Sequence, residues 1–587
     1  MKLFKDPKSL DPKLRSDYAK QNYILWKNCD LLSDEEKASL DEFTSDPELM
    51  ERVFLTLLEF GTAGIRGKMH MGSAAINRFT IALATKALAY AVKESKGEKM
   101  GVVIACDSRN NSMEFAKITA CVMAKEGIKT YIFDSLRPTP ELSYAILKLG
   151  CRAGVNITAS HNTKEYNGYK AYWDNGAQIG IDLAKTIADK CYEYDMFQCA
   201  RDCDFDKLVS EGKISVIGKE LDESYLKEVL STTVLGDELS EIKKDLKIVY
   251  TPLHGTGYRL VPEILKLSGF ESVTTVEEQM VLDGNFPTVK KPNPQDRNAF
   301  DLGIALADKI NSEVVLATDP DADRAGIAIR NKDGSFKVLT GNQIGCLLLE
   351  FLINAKRKAN TLAENSAVVM SLVSTSLADR ICKANGIKLF RVYTGFKYIG
   401  EKIGEFEKSG DYSYLFGFEE SHGYLGGTYA RDKDAVGAVM LICEMTAFYK
   451  SQGRSLVEVM DEIYSKYGFV SDKTFEVNIT DVDYIGKMAK IMAEYRENPF
   501  KTIDGERVVS MDDYSVSKSF DFASSMVSKI DLPSENMLSF STEKGTRVIV
   551  RPSGTEPKIK IYVSLEAEDQ KAAEEKYERV INEVVKK

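Results

Sequence analysis

Asp319-Pro320-Asp321-Ala322-Asp323-Arg324 follows the apolar run Val314-Val315-Leu316-Ala317. The apolar run predicts a buried strand, so the acidic stretch is predicted to be the loop at its carboxyl end. Alternate side chains of an extended segment point the same way, and three converging carboxylates without a counter-ion resist ionising. A hard divalent cation such as Mg²⁺ removes that conflict. We therefore interpret the three aspartates as candidate metal ligands; the alternative is a solvated acidic turn.

Length and composition limit the class of protein. The 587 residues exceed one domain and predict roughly three to five domains. A net charge of -10 argues against a nucleic-acid partner, because it leaves no basic surplus to neutralise a phosphate backbone. Residues 1–20 are polar and no apolar run has the length of a membrane span, so we expect no membrane partner. The ten cysteines form no C-x-x-C pair, which indicates reduced thiols and a cytoplasmic location.

Short apolar, β-branched runs predict strands, and the longer periodic stretches between them predict helices. The strand-like runs fall into three sets of three: 101–104, 129–133 and 154–157; 247–250, 272–276 and 314–317; 367–370, 388–392 and 412–415. Helical stretches such as Met113–Glu126 and Ser376–Asn385 separate them. The pattern predicts three related α/β domains, each with a mixed sheet.

A different polar loop follows the third strand of each set. The loops are Thr158–Asn162, the acidic run and Gly417–Gly423. Ligands of α/β sheets bind beyond the carboxyl ends of the strands, so we expect the three loops to face a shared central cleft. From about Lys466 the pattern changes and ends in a helix-like stretch, 567–587, which predicts a fourth, α+β domain. The expected boundaries are an N-terminal extension at 1–40 and domains 1 to 4 at 41–210, 211–325, 326–465 and 466–587.

The loop Thr158-Ala159-Ser160-His161-Asn162 contains a candidate nucleophile. An isolated serine in such a loop is usually a helix N-cap or turn residue. The chemical alternative is a covalent phosphoryl carrier, with His161 beside it. A hydrolase triad is poorly supported, because no G-x-S-x-G surrounds the serine. A serine near an oxygen-ligated metal favours phosphoryl transfer, because the cation neutralises charge on the transferring group.

Two further loops carry anion-binding groups. Gly61–Gly67 is glycine-rich and contains Arg66, whose guanidinium can form two parallel hydrogen bonds to phosphate oxygens. It lacks the end of a Walker A loop, and a plain tight turn is the alternative. Arg551–Lys558 combines a guanidinium, two hydroxyls, a glycine and a lysine, which are donors for an anion-binding nest; the alternative is an ordinary Pro/Gly loop.

Three more side chains are candidates for substrate chemistry. Lys170 is predicted on a polar turn ten residues after Ser160, where a lysine is usually solvated. If it is desolvated beside a phosphate it can shuttle protons. Glu419 and Ser421 offer an acceptor and a hydroxyl suited to sugar hydroxyls.

Together and in this order, the loops resemble the α-D-phosphohexomutase superfamily. The matching motifs, across residues 61–558, are G-T-A-G-I-R-G, T-A-S-H-N, D-P-D-A-D-R, E-E-S and R-P-S-G-T-E-P. Residues 61–64 and 167–178 resemble the long phosphoglucomutases related to phosphoglucomutase 2 and phosphopentomutase. The resemblance implies four domains around a central cleft, one Mg²⁺ per active site and glucose 1,6-bisphosphate as activator.

The resemblance also implies a role for each candidate residue. The implied catalytic residues are Ser160, Lys170, Arg66 and His161. The implied metal ligands are phosphorylated Ser160, Asp319, Asp321 and Asp323. The implied substrate contacts are Arg324, Thr394, Gly395, Lys397, Glu419, Ser421, Lys433, Arg551, Ser553, Gly554 and Thr555.

Two positions depart from patterns seen in the family. Thr163 stands where many relatives have proline, so we expect a slightly looser loop. Phe396 stands where some bacterial phosphomannomutase/phosphoglucomutases have histidine. A histidine therefore cannot assist proton transfer at that point, and Lys397 is left as a phosphate contact.

The expected function is that of a phosphoglucomutase, which interconverts α-D-glucose 1-phosphate and glucose 6-phosphate through a phosphoserine and a 1,6-bisphosphate. Mannose or pentose phosphates as substrates, and a glucose-1,6-bisphosphate synthase, are the alternatives. A catalytically silent sugar-phosphate-binding protein fits less well, because binding alone needs neither Ser160 nor three metal carboxylates. The preferred sugar and the oligomeric state do not follow from the sequence.

Overall fold

The computed structural model describes residues 1–61, 64–479, 484–553 and 558–586. Short 3₁₀ helices at Pro7–Ser9, Leu40–Ser45, Asp237–Leu239 and Arg297–Phe300 supplement the helices and strands given below. No helix in these ranges combines the length and the apolar character that crossing a membrane requires.

The N-terminal part of the chain builds sheet 1 and its helices. The elements are α1 (Pro12–Lys27), α2 (Asp34–Ser39), α3 (Pro47–Phe54), β1 (Ile65–Lys68), α4 (Arg78–Glu94), β2 (Val102–Cys106), α5 (Ser112–Lys125), β3 (Thr130–Phe133), α6 (Thr139–Leu149), β4 (Ala153–Ile157), β5 (Tyr166–Trp173), α7 (Ile181–Cys191), α8 (Met196–Ala200), α9 (Phe205–Ser210) and β6 (Ile214–Ile217). The strand order is β1-β5-β4-β2-β3-β6.

Sheets 2 and 3 follow. Sheet 2 and its helices comprise α10 (Lys219–Leu230), α11 (Ser240–Asp245), β7 (Ile248–Thr251), α12 (Gly257–Leu267), β8 (Val273–Thr275), α13 (Glu277–Met280), α14 (Asp301–Ile310), β9 (Val314–Thr318), β10 (Ala325–Arg330) and β11 (Phe336–Val338). Sheet 3 and its helices comprise α15 (Gly341–Lys358), β12 (Ser366–Ser371), α16 (Leu377–Asn385), β13 (Lys388–Val392), α17 (Phe396–Ser409), β14 (Ser413–Glu419), β15 (Gly423–Leu425), α18 (Ala435–Lys450) and α19 (Leu456–Tyr467).

The same four-strand unit occurs in all three sheets. Its order is β3-β2-β4-β5 in sheet 1, β8-β7-β9-β10 in sheet 2 and β13-β12-β14-β15 in sheet 3. In each unit the first three strands are parallel and the fourth runs antiparallel. The predicted threefold pattern of mixed-sheet α/β domains is confirmed, and the carboxyl ends of β4, β9 and β14 carry the three predicted loops.

The C-terminal part has a different architecture. Its elements are β16 (Phe469–Asn478), α20 (Tyr484–Glu497), β17 (Thr502–Ile503), β18 (Glu506–Asp513), β19 (Lys518–Asp521), β20 (Met526–Lys529), β21 (Leu538–Thr542), β22 (Arg547–Pro552), β23 (Lys558–Ala567) and α21 (Gln570–Lys586). Its strand pairs are all antiparallel, and α20 and α21 contribute to its own core. This is the predicted α+β domain.

The N-terminal residues belong to the first hydrophobic core. Trp26 on α1 is fully buried and packs edge-on against Phe79 and Phe197, with ring centroids 5.3 and 5.0 Å away. Asn22 fixes the same helix by donating to the carbonyl of Phe54 at 2.8 Å. Residues 1–40 therefore help to hold sheet 1 and its helices together.

Candidate active site

Ser160 lies in the turn that follows β4, and its hydroxyl points at the acidic loop. Its φ of 51° is left-handed, which is uncommon for a residue with a side chain. The backbone N–H of Ser160 donates to Thr158 Oγ1 at 2.8 Å, and the Ser160 Oγ donates to Asp319 Oδ2 at 2.7 Å. Both side chains are buried. The candidate nucleophile and the candidate metal loop, 159 positions apart in the sequence, thus meet directly.

Arg109 holds the serine loop from behind, and the sequence analysis missed it. Its buried guanidinium donates to the carbonyls of Ser160 and Asn162, the latter at 2.6 Å, and to those of Thr163 and Tyr166 at 2.9 and 3.1 Å. The Thr163 carbonyl is thus one of the four acceptors of this guanidinium. The signal was present, because Arg109 follows β2 and so lies beyond the carboxyl end of a parallel strand.

Asp107 is a second residue that the sequence analysis missed. Its carboxylate accepts from Thr158 Oγ1 at 2.6 Å and from Ser112 Oγ at 2.9 Å. It also lies 3.2 Å from Arg109 Nε, and both side chains are fully buried. This carboxylate supplies the negative charge that a buried guanidinium requires.

The acidic loop is buried between sheets 1 and 2, so the interpretation as a solvated turn is wrong. Asp319, Asp321 and Asp323 are at most 1% exposed. Asp319 Oδ1 accepts from the backbone N–H groups of Asp323 and Arg324 at 3.1 and 3.0 Å. Gly255 packs so closely under the loop that a Cβ there would lie 2.4 Å from Pro320 Cα. The backbone therefore holds the three carboxylates on one side of the loop.

The three aspartates fit a divalent cation. One carboxylate oxygen from each lies within 4.8 Å of the others. Among the described residues, Asp321 Oδ1 and Asp323 Oδ1 have no hydrogen-bond partner, although they are buried. Buried oxygens without donors are costly unless an ion binds them, and hard oxygen ligands are those that Mg²⁺ prefers.

Two buried lysines face the same carboxylates. Lys170 donates to Asp321 Oδ2 at 2.6 Å and to Asp323 Oδ2 at 3.0 Å, and Lys433 Nζ lies 3.0 Å from Asp323 Oδ2. The predicted polar turn around Lys170 is wrong, because the residue lies on β5, inside sheet 1 between β4 and β1. Strand alternation aims its side chain at the loop.

Neighbouring charges shift the pKa values of Asp319 and Asp323 in opposite directions. Burial and the charges of Asp323 and Asp321 raise the pKa of Asp319 well above its usual range. Burial acts in the same direction on Asp323, but Lys170 and Lys433 outweigh it and lower the pKa of Asp323. Lys170 and Lys433 therefore compensate Asp321 and Asp323, and Asp319, which faces Ser160, is the carboxylate whose ionised form a bound cation would stabilise.

The open side of Ser160 is lined by cationic and neutral donors. Arg66 is exposed and donates to Asn162 Oδ1 at 2.9 Å. His161 Nδ1 lies 3.2 Å from Ser160 Oγ. Burial, followed by the charges of Arg324 and Arg66, holds the pKa of His161 well below its usual range, so the imidazole is neutral at pH 7. These groups are placed to meet an anion on the serine.

The third loop supplies an acceptor at the N-terminus of a helix. Glu419 Oε1 accepts from the backbone N–H of Gly395 at 2.6 Å, where α17 begins. Burial and the charge of Glu420 raise the pKa of Glu419 to about 7. Thr394 precedes the glycine and has a buried Oγ1 without a hydrogen-bond partner among the described residues. Lys397 lies in the first turn of α17, and Ser421 lies half-buried beyond β14.

The fourth domain brings Arg551 beside helix α17 of the third domain. Its Nε donates to Glu535 Oε1 at 2.7 Å, and its charge acts on Tyr398 of α17. Ser553 follows β22 and its backbone N–H donates to the carbonyl of Lys558 at 2.9 Å. The predicted contacts Gly554 and Thr555 lie outside the described residues.

Comparison with known proteins identifies the class to which this fold and site belong. Models of the four phosphoglucomutase/phosphomannomutase domains match: the α/β/α domains I, II and III match residues 57–197, 223–334 and 340–467, and the C-terminal domain matches 489–583. The chain belongs to the phosphoglucomutase/phosphomannomutase family. It is therefore an enzyme of the phosphohexomutase class, an intramolecular phosphotransferase, as the sequence resemblance predicted.

Particular relatives are phosphoglucomutases. The chain is 36% identical to the phosphoglucomutase of Staphylococcus saprophyticus over 92% of its own length and 97% of the relative. It is 37% identical to the phosphoglucomutase of Staphylococcus aureus strain MRSA252 over 90% and 93%.

Solved structures share the fold. The open form of parafusin, a phosphoglucomutase from Paramecium, matches with a TM-score of 0.64 at 18% identity, over 90% of this chain and 93% of that one. A phosphoglucomutase/phosphomannomutase family protein from Burkholderia thailandensis matches with a TM-score of 0.60 at 17% identity, over 90% and 97%.

Proposed function

We propose that this enzyme is a phosphoglucomutase that interconverts α-D-glucose 1-phosphate and glucose 6-phosphate through a phosphoserine at Ser160. The observation that carries the proposal is the 2.7 Å contact between Ser160 Oγ and Asp319 Oδ2. It joins a nucleophile to a buried acidic triad in a chain that is 36% identical to a phosphoglucomutase. We also propose a cytoplasmic location for the enzyme.

The reaction begins with a phosphoryl group on Ser160. The sugar hydroxyl that lacks phosphate attacks this phosphorus, the Ser160 Oγ–P bond breaks, and glucose 1,6-bisphosphate forms. The proton of that hydroxyl passes in effect to Ser160 Oγ. After the bisphosphate turns within the cleft, Ser160 Oγ attacks its other phosphorus and the bond from that phosphorus to the sugar oxygen breaks. The serine proton passes to the sugar oxygen, and the isomeric monophosphate is released. Added glucose 1,6-bisphosphate acts as activator, because it phosphorylates any enzyme that has lost its phosphoryl group.

Mg²⁺, held by Asp319, Asp321, Asp323 and the phosphorylated Ser160, would neutralise charge on the transferring group. Lys170 is the candidate acid and base. Burial lowers the pKa of its ammonium, but Asp321 and Asp323 outweigh that effect and raise it, so Lys170 first donates its proton to the departing oxygen and then takes one from the attacking hydroxyl. Arg66, Arg324 and His161 surround the phosphoryl group and stabilise its charge.

The far side of the cleft binds the rest of the substrate. Glu419 accepts sugar hydroxyls, while Ser421 and the N–H groups at the start of α17 add further polar contacts. Arg551 and Ser553 hold the phosphate that is not reacting, with Lys397 and Lys433 as additional cations. Because the bisphosphate binds in two orientations, each end of the cleft needs donors for a phosphate.

The experiment that tests this proposal is the Ser160→Ala variant. We expect glucose 1-phosphate turnover to fall by about a thousandfold or more, because no other side chain takes the role of the nucleophile. Intact-protein mass spectrometry should show the phosphoryl group on the wild type and none on the variant. Ser210→Ala, at an exposed hydroxyl on α9, is the control and should keep full activity. Substantial mutase activity in Ser160→Ala would overturn the phosphoserine mechanism.

A further inference from the structure

The carboxylate of Glu535 already binds the arginine that is assigned to the substrate phosphate. Arg551 Nε donates to Glu535 Oε1 at 2.7 Å, and the two side chains are 31% and 22% exposed. A phosphate that binds Arg551 must therefore share the guanidinium with a resident anion. A negative side chain is unexpected at this position, because the site has to attract a phosphate dianion.

The segment that carries Glu535 is anchored on both sides. The Glu535 backbone N–H donates to the carbonyl of Tyr514 at 3.2 Å, and its carbonyl accepts from Met537 at 2.8 Å. The Tyr393 hydroxyl, from sheet 3, donates to the carbonyl of Pro533. Glu535 is thus held at the contact between the third and fourth domains. A surface side chain without such anchors would turn towards solvent.

Glu535 also acts on a cation of the third domain. Lys397 is 7% exposed, and burial lowers the pKa of its ammonium, while the charges of Glu401 and Glu535 oppose that effect. The same carboxylate raises the pKa of the neighbouring Tyr398, after burial. One negative charge therefore interacts with two cations from different domains, both of which are assigned to the phosphate that does not react.

We propose that Glu535 is an internal counter-ion that weakens the hold of this site on phosphate, so that the bisphosphate can leave it and turn. This inference rests on the proposed mutase function. The bisphosphate must exchange its two ends once per catalytic cycle, so a site that grips phosphate too strongly would trap the intermediate. A carboxylate on Arg551 Nε reduces the net positive charge and takes the place of phosphate as it departs.

The test measures binding without turnover. Glu535→Gln keeps the shape of the side chain and removes its charge, and it is combined with Ser160→Ala in the full-length enzyme. Calorimetry with glucose 6-phosphate and glucose 1,6-bisphosphate, at low and high salt, gives the dissociation constants. We expect Glu535→Gln to tighten binding by about twofold to fivefold at low salt, the range for a partly exposed ion pair. The gain should shrink at high salt.

Two matched variants complete the design. Glu535→Asp retains the charge and should bind with the affinity of the parent, and Glu543→Gln removes an exposed carboxylate of the same domain that pairs with Arg507 and should change nothing. In the background with Ser160 intact, Glu535→Gln should lower kcat, because the bisphosphate leaves the site more slowly.

Weaker or unchanged binding in Glu535→Gln would overturn the inference. Weaker binding would mean that the carboxylate orients Arg551 for phosphate, and unchanged binding would mean that its charge does not act on the site. If Ser160→Ala alone binds neither sugar phosphate, the proposed function fails and the inference fails with it. Binding by Ser160→Ala without tightening in the double variant overturns the role of Glu535 alone.

Discussion

Burial decides the chemistry of single residues in this cleft, and Glu419 is the clearest case. Its pKa is raised to about 7, first by burial and then by Glu420. The carboxylate fraction of the folded enzyme therefore grows as the pH rises through about 7. An ionised carboxylate accepts hydroxyl hydrogen bonds more strongly than a neutral acid does.

We predict that KM for glucose 1-phosphate falls as the pH rises from 6 to 8, because Glu419 becomes a better acceptor of sugar hydroxyls. The second ionisation of a phosphate monoester, near pH 6, contributes to the same profile. Glu419→Gln cannot ionise, so the difference between the two KM profiles isolates the residue. A Gln variant with the same pH dependence of KM as the wild type would refute this role.

Some site residues could be predicted from sequence and others could not, for physical reasons. Ser160 and the three aspartates combine reactive groups with a strand before them, and the structure brings the serine to Asp319. Arg109 lies beyond the carboxyl end of β2, a position that points to a site, but it was missed because it acts by donating to backbone carbonyls and no motif marks that role. Glu535 was missed because it lies in no motif, and its ion pair with Arg551 is seen only in the folded structure.

At the scale of elements, the acidic loop depends on a close approach between two backbones. Gly255, which follows β7, lies under Pro320, and the Thr256 N–H donates to the Pro320 carbonyl at 2.8 Å. A Cβ at position 255 would lie 2.4 Å from Pro320 Cα and 2.7 Å from its oxygen. Both are backbone atoms, so the loop itself would have to move.

We therefore predict that Gly255→Ala displaces the aspartates and lowers kcat by about tenfold or more, since misplacing a catalytic group by about 1 Å has costs of this order. Far-UV circular dichroism should show that the fold is retained. Gly180→Ala is the matched control, because a Cβ there meets nothing within 4 Å. Equal activities of the two variants would contradict the argument.

The parallel strands of the first three domains could be predicted from the sequence, whereas the return strand β5 could not. All nine predicted strands of the first three domains are present. The central strands β2, β4, β7, β9 and β12 are buried along their whole length, which is why they form mainly apolar runs. The return strand β5 contains Asn167 and Lys170, so its composition favoured a polar turn. Its place between β1 and β4 follows from sheet pairing, which the local sequence does not encode.

At the scale of the whole molecule, the cleft joins groups from domains 1, 2 and 3 around the acidic loop. Domains 1 and 2 meet through Ser160 and Asp319, and through Lys170 with Asp321. Domain 3 adds Lys433, which contacts Asp323. A cation bound at this centre would stabilise contacts between domains as well as assist the chemistry.

We predict that Mg²⁺ raises the melting temperature of the wild type, because it relieves repulsion among buried carboxylates and binds only the folded state. At a hundredfold excess over its Kd the gain corresponds to about 2.7 kcal/mol. Differential scanning calorimetry with Mg²⁺ and with a chelator measures it. Asp321→Asn should reduce the shift, whereas Asp308→Asn, at an exposed carboxylate on α14, should leave it intact. An undiminished shift in Asp321→Asn would place the cation elsewhere.

The most direct test of the central claim is phosphorus NMR of sugar 1-phosphates with the enzyme, Mg²⁺ and a trace of glucose 1,6-bisphosphate. Glucose, mannose and ribose 1-phosphates are followed in parallel. The account predicts that glucose 1-phosphate is converted to glucose 6-phosphate, and that it reacts fastest of the three. Absence of conversion of every sugar, with Ser160 shown to be phosphorylated, would contradict it.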